Sequence, residues 1–181
     1  SNSLQDLLQT YESRTDRYNQ KVKQRIDSAI ISEQNKPLFA YSHFFMPHEP
    51  LLYGKDGKAR KYADVFFDKR KGTYNKSYAE YLQFTNNQIG SLINQILERK
   101  GDKIILLVSD HGERFTTGAT KGSAYDNFFA VYDSQKKYSG FSDTFPLINT
   151  FRVVLNTYFN QELPMLENKK LNVYTGEREL F

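Results

Sequence analysis

The amino-acid sequence predicts an α/β fold, with a mixed, mainly parallel sheet flanked by helices. Ile104–Val108 is an unbroken aliphatic run, which is typical of a buried strand. Residues 74–100 carry apolar side chains at spacings of three and four, as an amphipathic helix does, and residues 38–45 form a second apolar, β-leaning run. A strand, a long crossover helix and a second strand make a right-handed parallel unit, which favours the α/β class.

The first part of the chain predicts a surface helix, then a strand and a long loop. Residues 4–31 carry sparse apolar residues at broadly helical intervals among many polar ones. Pro37 breaks this helix, and Pro47 and Pro50 end the strand at 38–45 because proline cannot donate to a sheet ladder. Residues 53–73 contain three glycines and seven Lys or Arg, which predicts an irregular loop.

The second part predicts one more strand and one more helix. Gly101 provides the stop signal after the long helix. A flexible segment with Gly118 and Gly122 precedes a strand over residues 127–132. Residues 146–159 form a short amphipathic helix, and the tail after Leu163 has no strong period. The side chains expected to face inward from that helix are Leu147, Phe151, Val154, Leu155 and Tyr158.

Length and composition fit a single domain over residues 1–181. The chain has 181 residues, 39% hydrophobic and 15% aromatic, which is a folding composition. A net charge of +4 does not indicate nucleic-acid binding. The absence of cysteine excludes disulfides and thiolate metal sites. No apolar run approaches the roughly 18 to 20 residues that cross a bilayer, and the composition does not predict an oligomeric state.

Asp110 and His111 are the candidate metal ligands. They follow the apolar run directly, at the edge where open α/β sheets place their ligands, and a turn can aim both at one cation. A carboxylate oxygen with a neutral imidazole suits zinc or manganese. The following Gly112 permits a tight departure from the sheet. The alternative is structural, with a capping aspartate beside a hydrogen-bonded histidine.

His48 is the candidate catalytic residue, because it lies between Pro47 and Pro50 in the sequence Pro-His-Glu-Pro. Prolines restrict the backbone on either side, which is useful for a side chain that must hold or protonate an oxyanion. A proline-rich turn with an exposed imidazole would have the same sequence. His43 interrupts the apolar run and fits a core or rim histidine as well as a second-shell ligand.

These segments resemble the C-terminal half of the sulfatase-like branch of the alkaline phosphatase superfamily. The likeness is greatest to the bacterial membrane-anchored group that includes phosphoethanolamine transferases and lipoteichoic acid synthases. It spans roughly residues 38 to 160. The matching pieces are Tyr41-Ser42-His43 with Pro47-His48-Glu49-Pro50, the helix ending in Ile89–Leu97, Ser109-Asp110-His111-Gly112-Glu113, and Asn149-Thr150-Phe151-Arg152 with Leu155-Asn156.

The resemblance implies a partial alkaline-phosphatase-like domain with a metal-dependent activity. It implies that Asp110 and His111 bind a divalent zinc or manganese ion and that His48 contacts the transferred phosphoryl or sulfuryl group. The implied substrate is an anionic phosphate or sulfate ester. The implied location is the bacterial cell envelope, with the domain extracytoplasmic and anchored to the membrane through upstream segments.

The half of such a domain that carries the nucleophile has no counterpart in residues 1–37. They predict a polar helix, with no apolar strand delivering an early carboxylate and no following Thr-rich or Ser-rich elbow. Two protein ligands fall short of the three or four that hold zinc, so metal should bind weakly or not at all to this chain. We therefore expect a fragment of a hydrolase or transferase that is inactive alone. The alternatives are a non-catalytic envelope-associated binding or interaction domain and a self-sufficient small domain with convergent motifs.

Overall fold

The computed structural model of the chain describes residues 4–32, 36–61, 64–65, 72–112, 126–171 and 178–180. It divides into two compact units, Ser1–Lys100 and Gly101–Phe181, each of which is described by itself. Within the described residues, no helix combines the length and the apolar character needed to cross a bilayer. The predicted flexible segment with Gly118 and Gly122 lies outside the described residues.

The first unit contains two long helices, as the sequence predicts. Helix α1 spans Leu4–Ile31 and helix α2 spans Tyr74–Glu98. The end of α1 is capped from the end of α2, because the guanidinium group of Arg99 donates to the carbonyl oxygens of Ala29 (2.8 Å), Ile30 and Ser32 (3.0 Å). The last carbonyls of a helix have no partner within it, so these bonds satisfy groups that helix geometry leaves open.

The core of the first unit is aromatic. Tyr81 on α2 is almost completely buried, and Leu51 and Leu92 are buried with it. The rings of Tyr53 and Phe84 stack with their centroids 4.7 Å apart. Burial, followed by a hydrogen bond to a nearby carboxylate, raises the pKa of Tyr53 to about 12, so its hydroxyl remains a hydrogen-bond donor.

The predicted strand at residues 38–45 is wrong. This stretch has neither helical nor strand hydrogen bonding, and Phe39 and Tyr41 have 75% and 77% of their surface exposed. Its end is held by side chains instead, since the backbone N–H of Phe45 donates to Asn19 Oδ1 at 2.8 Å. An apolar run is compatible with a buried strand, but it does not identify the neighbouring strand that would form hydrogen bonds with it.

The second unit is built on a two-stranded sheet. Strand β1, Ile104–Val108, pairs with strand β2, Phe129–Asp133, so that Ile104 faces Asp133 and Val108 faces Phe129. The α/β class is confirmed, and both strands lie close to where the sequence predicts them. The pairing is antiparallel, however, which corrects the predicted parallel unit: the partner of β1 is the strand that follows it, not residues 38–45.

A helix and a small hairpin complete the second unit. A 3-10 turn at Leu147–Asn149 leads into helix α3, Thr150–Phe159, which confirms the predicted helix. Strands β3, Lys169–Leu171, and β4, Arg178–Leu180, pair antiparallel. The tail had no period that predicted this hairpin, because three-residue strands are too short to show alternation.

The buried face of α3 differs from the predicted one. Val153 is 2% exposed, whereas Phe151 is 54% exposed. Val153 packs against the backbone at Gly140, where any side chain would collide with Val153 Cγ1. The sequence identified the helix but placed the centre of its apolar face incorrectly, since a close backbone approach can bury a small branched residue and exclude a larger ring.

Asparagine side chains of the second unit hold an extended segment in place. Asn149 donates to the carbonyl oxygen of Leu166 (2.9 Å) and accepts its N–H (2.8 Å), and Asn156 makes the same pair of bonds with Leu163 (both 2.9 Å). Arg152 Nε donates to the carbonyl oxygen of Pro164 between them. Each amide therefore replaces a missing strand partner, which assigns this motif a structural role.

Asn149→Ala should destabilise the protein by about 2–3 kcal/mol, because it leaves two backbone groups of Leu166 without partners beside a buried site. Asn156→Ala, the matched control, removes the same number of bonds in a more exposed position and should have a smaller effect. Urea unfolding followed by circular dichroism measures both. Equal losses would show that burial does not decide the cost.

Asp133, at the end of β2, organises the turn that follows. Its Oδ1 accepts the N–H of Gln135 (2.8 Å), and its Oδ2 accepts the N–H of Lys137 (2.6 Å) and the hydroxyl of Tyr158. Burial alone disfavours the charged carboxylate, but the hydrogen bonds from Tyr158 and the turn amides outweigh it and lower the pKa of Asp133. Burial, then this bond, raises the pKa of Tyr158, which keeps the phenol a donor.

Tyr158→Phe should lower the free energy of unfolding at neutral pH by about 1.5–3 kcal/mol, the range for a hydrogen bond to a charged group. Because the folded pKa of Asp133 lies below its ordinary value of 3.8, the unfolded state takes up a proton first as the pH falls. The stabilisation is therefore fully present above pH 3.8 and disappears as the pH falls through the folded pKa.

Urea unfolding of the wild type and Tyr158→Phe at pH 7 and near pH 2.5 should show a difference that shrinks in acid. Tyr132→Phe, an exposed tyrosine on β2, is the control and should be close to neutral at both pH values. A constant difference for Tyr158→Phe would contradict the assigned role of the Asp133 carboxylate.

Candidate functional site

The candidate site lies directly after β1, where Ser109 forms the last hydrogen bonds between the two strands. The N–H of Ser109 donates to the carbonyl oxygen of Phe128 (2.9 Å), and the N–H of Phe128 donates to Ser109 Oγ (2.7 Å). Asn127 Nδ2 donates to the carbonyl oxygen of Ser109 (2.9 Å). All the polar groups of Ser109 thus have partners, and the backbone that leads into Asp110 leaves the sheet in a defined direction.

The opposite end of the same two strands is closed in the same way. Ser134 donates its N–H to the carbonyl oxygen of Lys103 (3.0 Å), and Ser134 Oγ accepts the N–H of Lys103 (2.9 Å). A serine after each strand therefore adds one further pair of hydrogen bonds to each end of a short ladder. Since short two-stranded sheets are marginal, these extra bonds help to explain why this one holds.

Asp110 and His111 lie side by side beyond Ser109. Oδ2 of Asp110 is 3.7 Å from Nε2 of His111, while Oδ1 accepts the backbone N–H of His111 (3.0 Å). The Asp110 side chain is 74% exposed and that of His111 is 28% exposed. The predicted adjacency of the two side chains is therefore present, with the carboxylate reaching toward solvent and the imidazole largely covered.

A backbone carbonyl selects the tautomer of His111. Nδ1 lies 2.7 Å from the carbonyl oxygen of Gly112, and since a carbonyl can only accept, Nδ1 carries the proton. In the neutral ring the lone pair is then on Nε2, the nitrogen that faces Asp110. Metal-binding histidines in proteins are commonly oriented by such a bond from their other nitrogen.

The two donors fit one divalent cation. Zinc bonds histidine nitrogen and carboxylate oxygen at roughly 2.0 to 2.2 Å, so two ligands of one ion lie within roughly 4.3 Å of each other, and 3.7 Å satisfies this limit. Within the described ranges, no group of three or more His, Cys, Asp or Glu side chains gathers around a common point. Glu113, the last residue of the motif, lies outside the described residues. Asp110 and His111 thus provide part of a coordination shell.

His48 belongs to the first unit, whereas Asp110 and His111 belong to the second. Its Nδ1 lies 2.7 Å from the carbonyl oxygen of Glu49, which again places the lone pair on Nε2, and its own N–H donates to the carbonyl oxygen of Phe45. The ring is exposed and meets Phe45 edge to face, with centroids 6.2 Å apart. A common pocket for the three predicted site residues stays a prediction.

His43 lies near His48 on an aromatic cluster at the surface. Its ring stacks on Phe45 with a centroid distance of 5.6 Å, and Tyr18 meets the same ring edge to face at 5.3 Å. His43 is exposed, so the core position considered from the sequence is wrong. Side chains alternate along an extended segment, so the exposed residues 43 and 45 lie on one side, and the half-buried Phe44 and Met46 lie on the other.

Sequence reasoning missed Asn127 as a residue that supports the site. An asparagine just before a strand reads as an ordinary turn residue. Only the fold brings its amide to the carbonyl oxygen of Ser109, eighteen residues earlier in the chain.

These features define a class: an α/β protein whose first sheet strand delivers a carboxylate and an oriented imidazole that suit a divalent cation. A family model described as Sulfatase matches residues 2–144, which is most of the chain. The chain belongs to the sulfatase family, within the alkaline phosphatase superfamily. Members of this family act on sulfate esters and generally use a divalent metal. No curated protein and no solved structure matches the chain.

Ser109→Ala should loosen the sheet at the site, because the N–H of Phe128 loses its acceptor. We expect amide hydrogen exchange of Phe128 to rise by roughly five- to tenfold, as the loss of a bond worth about 1 kcal/mol predicts. Exchange at Lys103, at the other end of the sheet, should not change.

Ser134→Ala is the matched control for this experiment, because it makes the same change at the opposite end and should affect Lys103 alone. Two-dimensional NMR measures both amides in one spectrum. Unchanged exchange at Phe128 in Ser109→Ala would show that the serine hydroxyl does not hold this end of the sheet.

Proposed function

We propose that this chain is part of the catalytic domain of a metal-dependent, sulfatase-like hydrolase or phosphoryl or sulfuryl transferase. One observation carries the proposal: the carboxylate of Asp110 and the lone pair of His111 Nε2 lie 3.7 Å apart beyond the closed end of β1. Membership of the sulfatase family supports it. Zinc and manganese suit this pair of oxygen and nitrogen donors.

In this proposal each residue has a distinct role. Asp110 and His111 hold the cation, which when bound neutralises charge on the ester and lowers the pKa of a nucleophile. Gly112 fixes the His111 tautomer through its carbonyl oxygen. His48 stabilises an oxygen of the transferred group, and the bond from Nδ1 to Glu49 holds its Nε2 ready to accept a proton, or to donate one when the ring is charged.

We propose that the nucleophile and the remaining ligands come from a part of the natural protein that precedes this chain, and that the chain alone is inactive. The support is local. Leu4–Ile31 is a helix, and the described residues before Pro37 include no strand that could deliver an early carboxylate. Both units would then belong to one domain with its core in residues 38–160, and the exposed apolar run at 38–45 would be completed by the missing part.

The substrate in this proposal is an anionic sulfate or phosphate ester. We further propose that the complete protein is of the bacterial membrane-anchored branch, with phosphoethanolamine transferases and lipoteichoic acid synthases, and works outside the cytoplasm at the cell envelope. The support is the order and spacing of the Pro-His-Glu-Pro and Ser-Asp-His-Gly-Glu motifs.

A second candidate is a non-catalytic, envelope-associated binding domain. The exposed aromatic residues Phe39 and Tyr41 favour it, since large exposed aromatics are enriched where proteins meet partners. Metal binding separates the two candidates, because a purely structural domain has no need of the Asp110 and His111 donors.

Titration calorimetry with zinc or manganese tests the ligand assignment. The chain should take up the metal weakly, and Asp110→Ala should abolish that uptake, because a single remaining donor does not hold a cation. Asp143→Ala, an exposed aspartate in the same unit, is the control and should bind as the wild type does. Unchanged uptake in Asp110→Ala would remove Asp110 from the site.

Turnover is tested in a longer protein that includes the preceding sequence. With manganese or zinc added, it should hydrolyse p-nitrophenyl sulfate or a p-nitrophenyl phosphate mono- or diester. Asp110→Ala should abolish turnover together with metal uptake, whereas His48→Ala should reduce turnover and leave metal uptake intact. Failure to hydrolyse any of these esters would exclude catalysis and favour the binding domain.

A further inference from the structure

A second candidate site lies in the first unit, and its lining contains none of His48, Asp110 and His111. A cavity of about 200 Å³ opens between α1, α2 and the extended segment that leads to Tyr53. Most of its surface is apolar, and its lining includes the exposed side chain of Gln20. Its lining includes Asp16, Lys23, Tyr53, Phe84, Ile89 and Leu92.

The two charged side chains that line the cavity, Asp16 and Lys23, each have other partners. Lys23 is paired with Asp27 outside the lining, at 2.6 Å. Among the residues that the structure describes, the donors to Asp16 are neutral: its Oδ1 accepts the hydroxyl of Tyr53 (2.7 Å), and its Oδ2 accepts the side-chain amide of Gln20 (2.7 Å). Each carboxylate oxygen has a second lone pair, so Asp16 can still accept from a ligand.

Asp16 is the group whose charge favours a cationic ligand, because the aromatic residues of the lining are neutral. Tyr53 and Phe84 also line the cavity, and their rings stack on each other with centroids 4.7 Å apart. Tyr53 also keeps its proton, because burial and the neighbouring carboxylate raise its pKa to about 12, so its hydroxyl adds no negative charge of its own. The lining therefore combines the carboxylate of Asp16, two neutral aromatic rings and apolar side chains.

We propose that this cavity binds a small organic ammonium ion. Its charged nitrogen bonds Asp16, and the apolar part of the ligand packs against Ile89, Leu92 and Met46. The volume of the cavity limits the size of the apolar part of the ligand. An apolar cavity of about 150 Å³ holds benzene, and drug-sized ligands need roughly 300 Å³ or more. A single ring or a short alkyl chain with an amine therefore fits, and the site is independent of the proposed metal centre.

The two methionines of the chain supply a direct readout. Met46 lines the cavity, and Met165, in the second unit, does not. With ¹³C-methyl methionine, titration with phenethylammonium should shift the Met46 methyl signal saturably and leave that of Met165 in place. The neutral isostere 2-phenylethanol and the anion phenylacetate should bind at least about tenfold more weakly, since they lack the charge-assisted bond.

Two variants test separately how the charge of Asp16 and the shape of the cavity contribute to ligand binding. Asp16→Asn keeps an acceptor but removes the charge, and should reduce the preference for phenethylammonium over 2-phenylethanol by roughly tenfold. Asp56→Asn is the matched control, because it makes the same substitution in an exposed loop of the same unit and should leave the preference intact. Ile89→Phe fills the cavity and should abolish the Met46 shift for every probe, with circular dichroism confirming the fold.

Two results would overturn the proposal. Equal binding of the alcohol and the ammonium ion to the wild type would exclude cation recognition. No saturable Met46 shift with any of the three probes would exclude the site itself.

Discussion

The second unit depends on the antiparallel pairing of β1 with β2. Five residues in each strand form the ladder, and a serine after each strand adds a pair of hydrogen bonds at its own end. Both ends of this ladder carry an aspartate. Asp133 at one end is buried and organises a turn, whereas Asp110 at the other is exposed beside an oriented imidazole. The same backbone pairing thus anchors the fold at one end and presents the candidate ligands at the other.

Side chains satisfy the backbone where the chain is neither helix nor sheet. Asn149 and Asn156 each bond both backbone groups of a residue in the extended segment, Asn19 accepts from Phe45, and Arg99 caps the carbonyl end of α1. Buried backbone groups must find such partners, because leaving one unpaired costs about as much as a hydrogen bond is worth. Polar residues in this protein therefore define where its irregular segments lie.

The candidate metal centre is consistent with a chain that supplies part of a site. Asp110 and His111 meet the distance and tautomer requirements of one cation, and the described residues add no third ligand. Sulfatase-family membership accounts for the motif, and the proposed missing half accounts for the remaining ligands and for the exposed apolar residues of the 38–45 segment. The lining of the cavity at Asp16 contains neither Asp110 nor His111, and α1, α2, Tyr53 and the segment at Phe44 and Met46 form it within the first unit.

The sequence by itself determined the α/β class, both long helices, the aliphatic strand and the adjacency of Asp110 and His111, because period, turn residues and chain neighbours are local properties. Tertiary structure decided the rest. It made the partner of β1 the antiparallel strand at 129–133, left 38–45 outside any strand, buried Val153 in place of Phe151 and brought Asn127 to Ser109. Each of these features depends on contacts between residues that are far apart in the sequence. A local sequence pattern contains no information about such contacts.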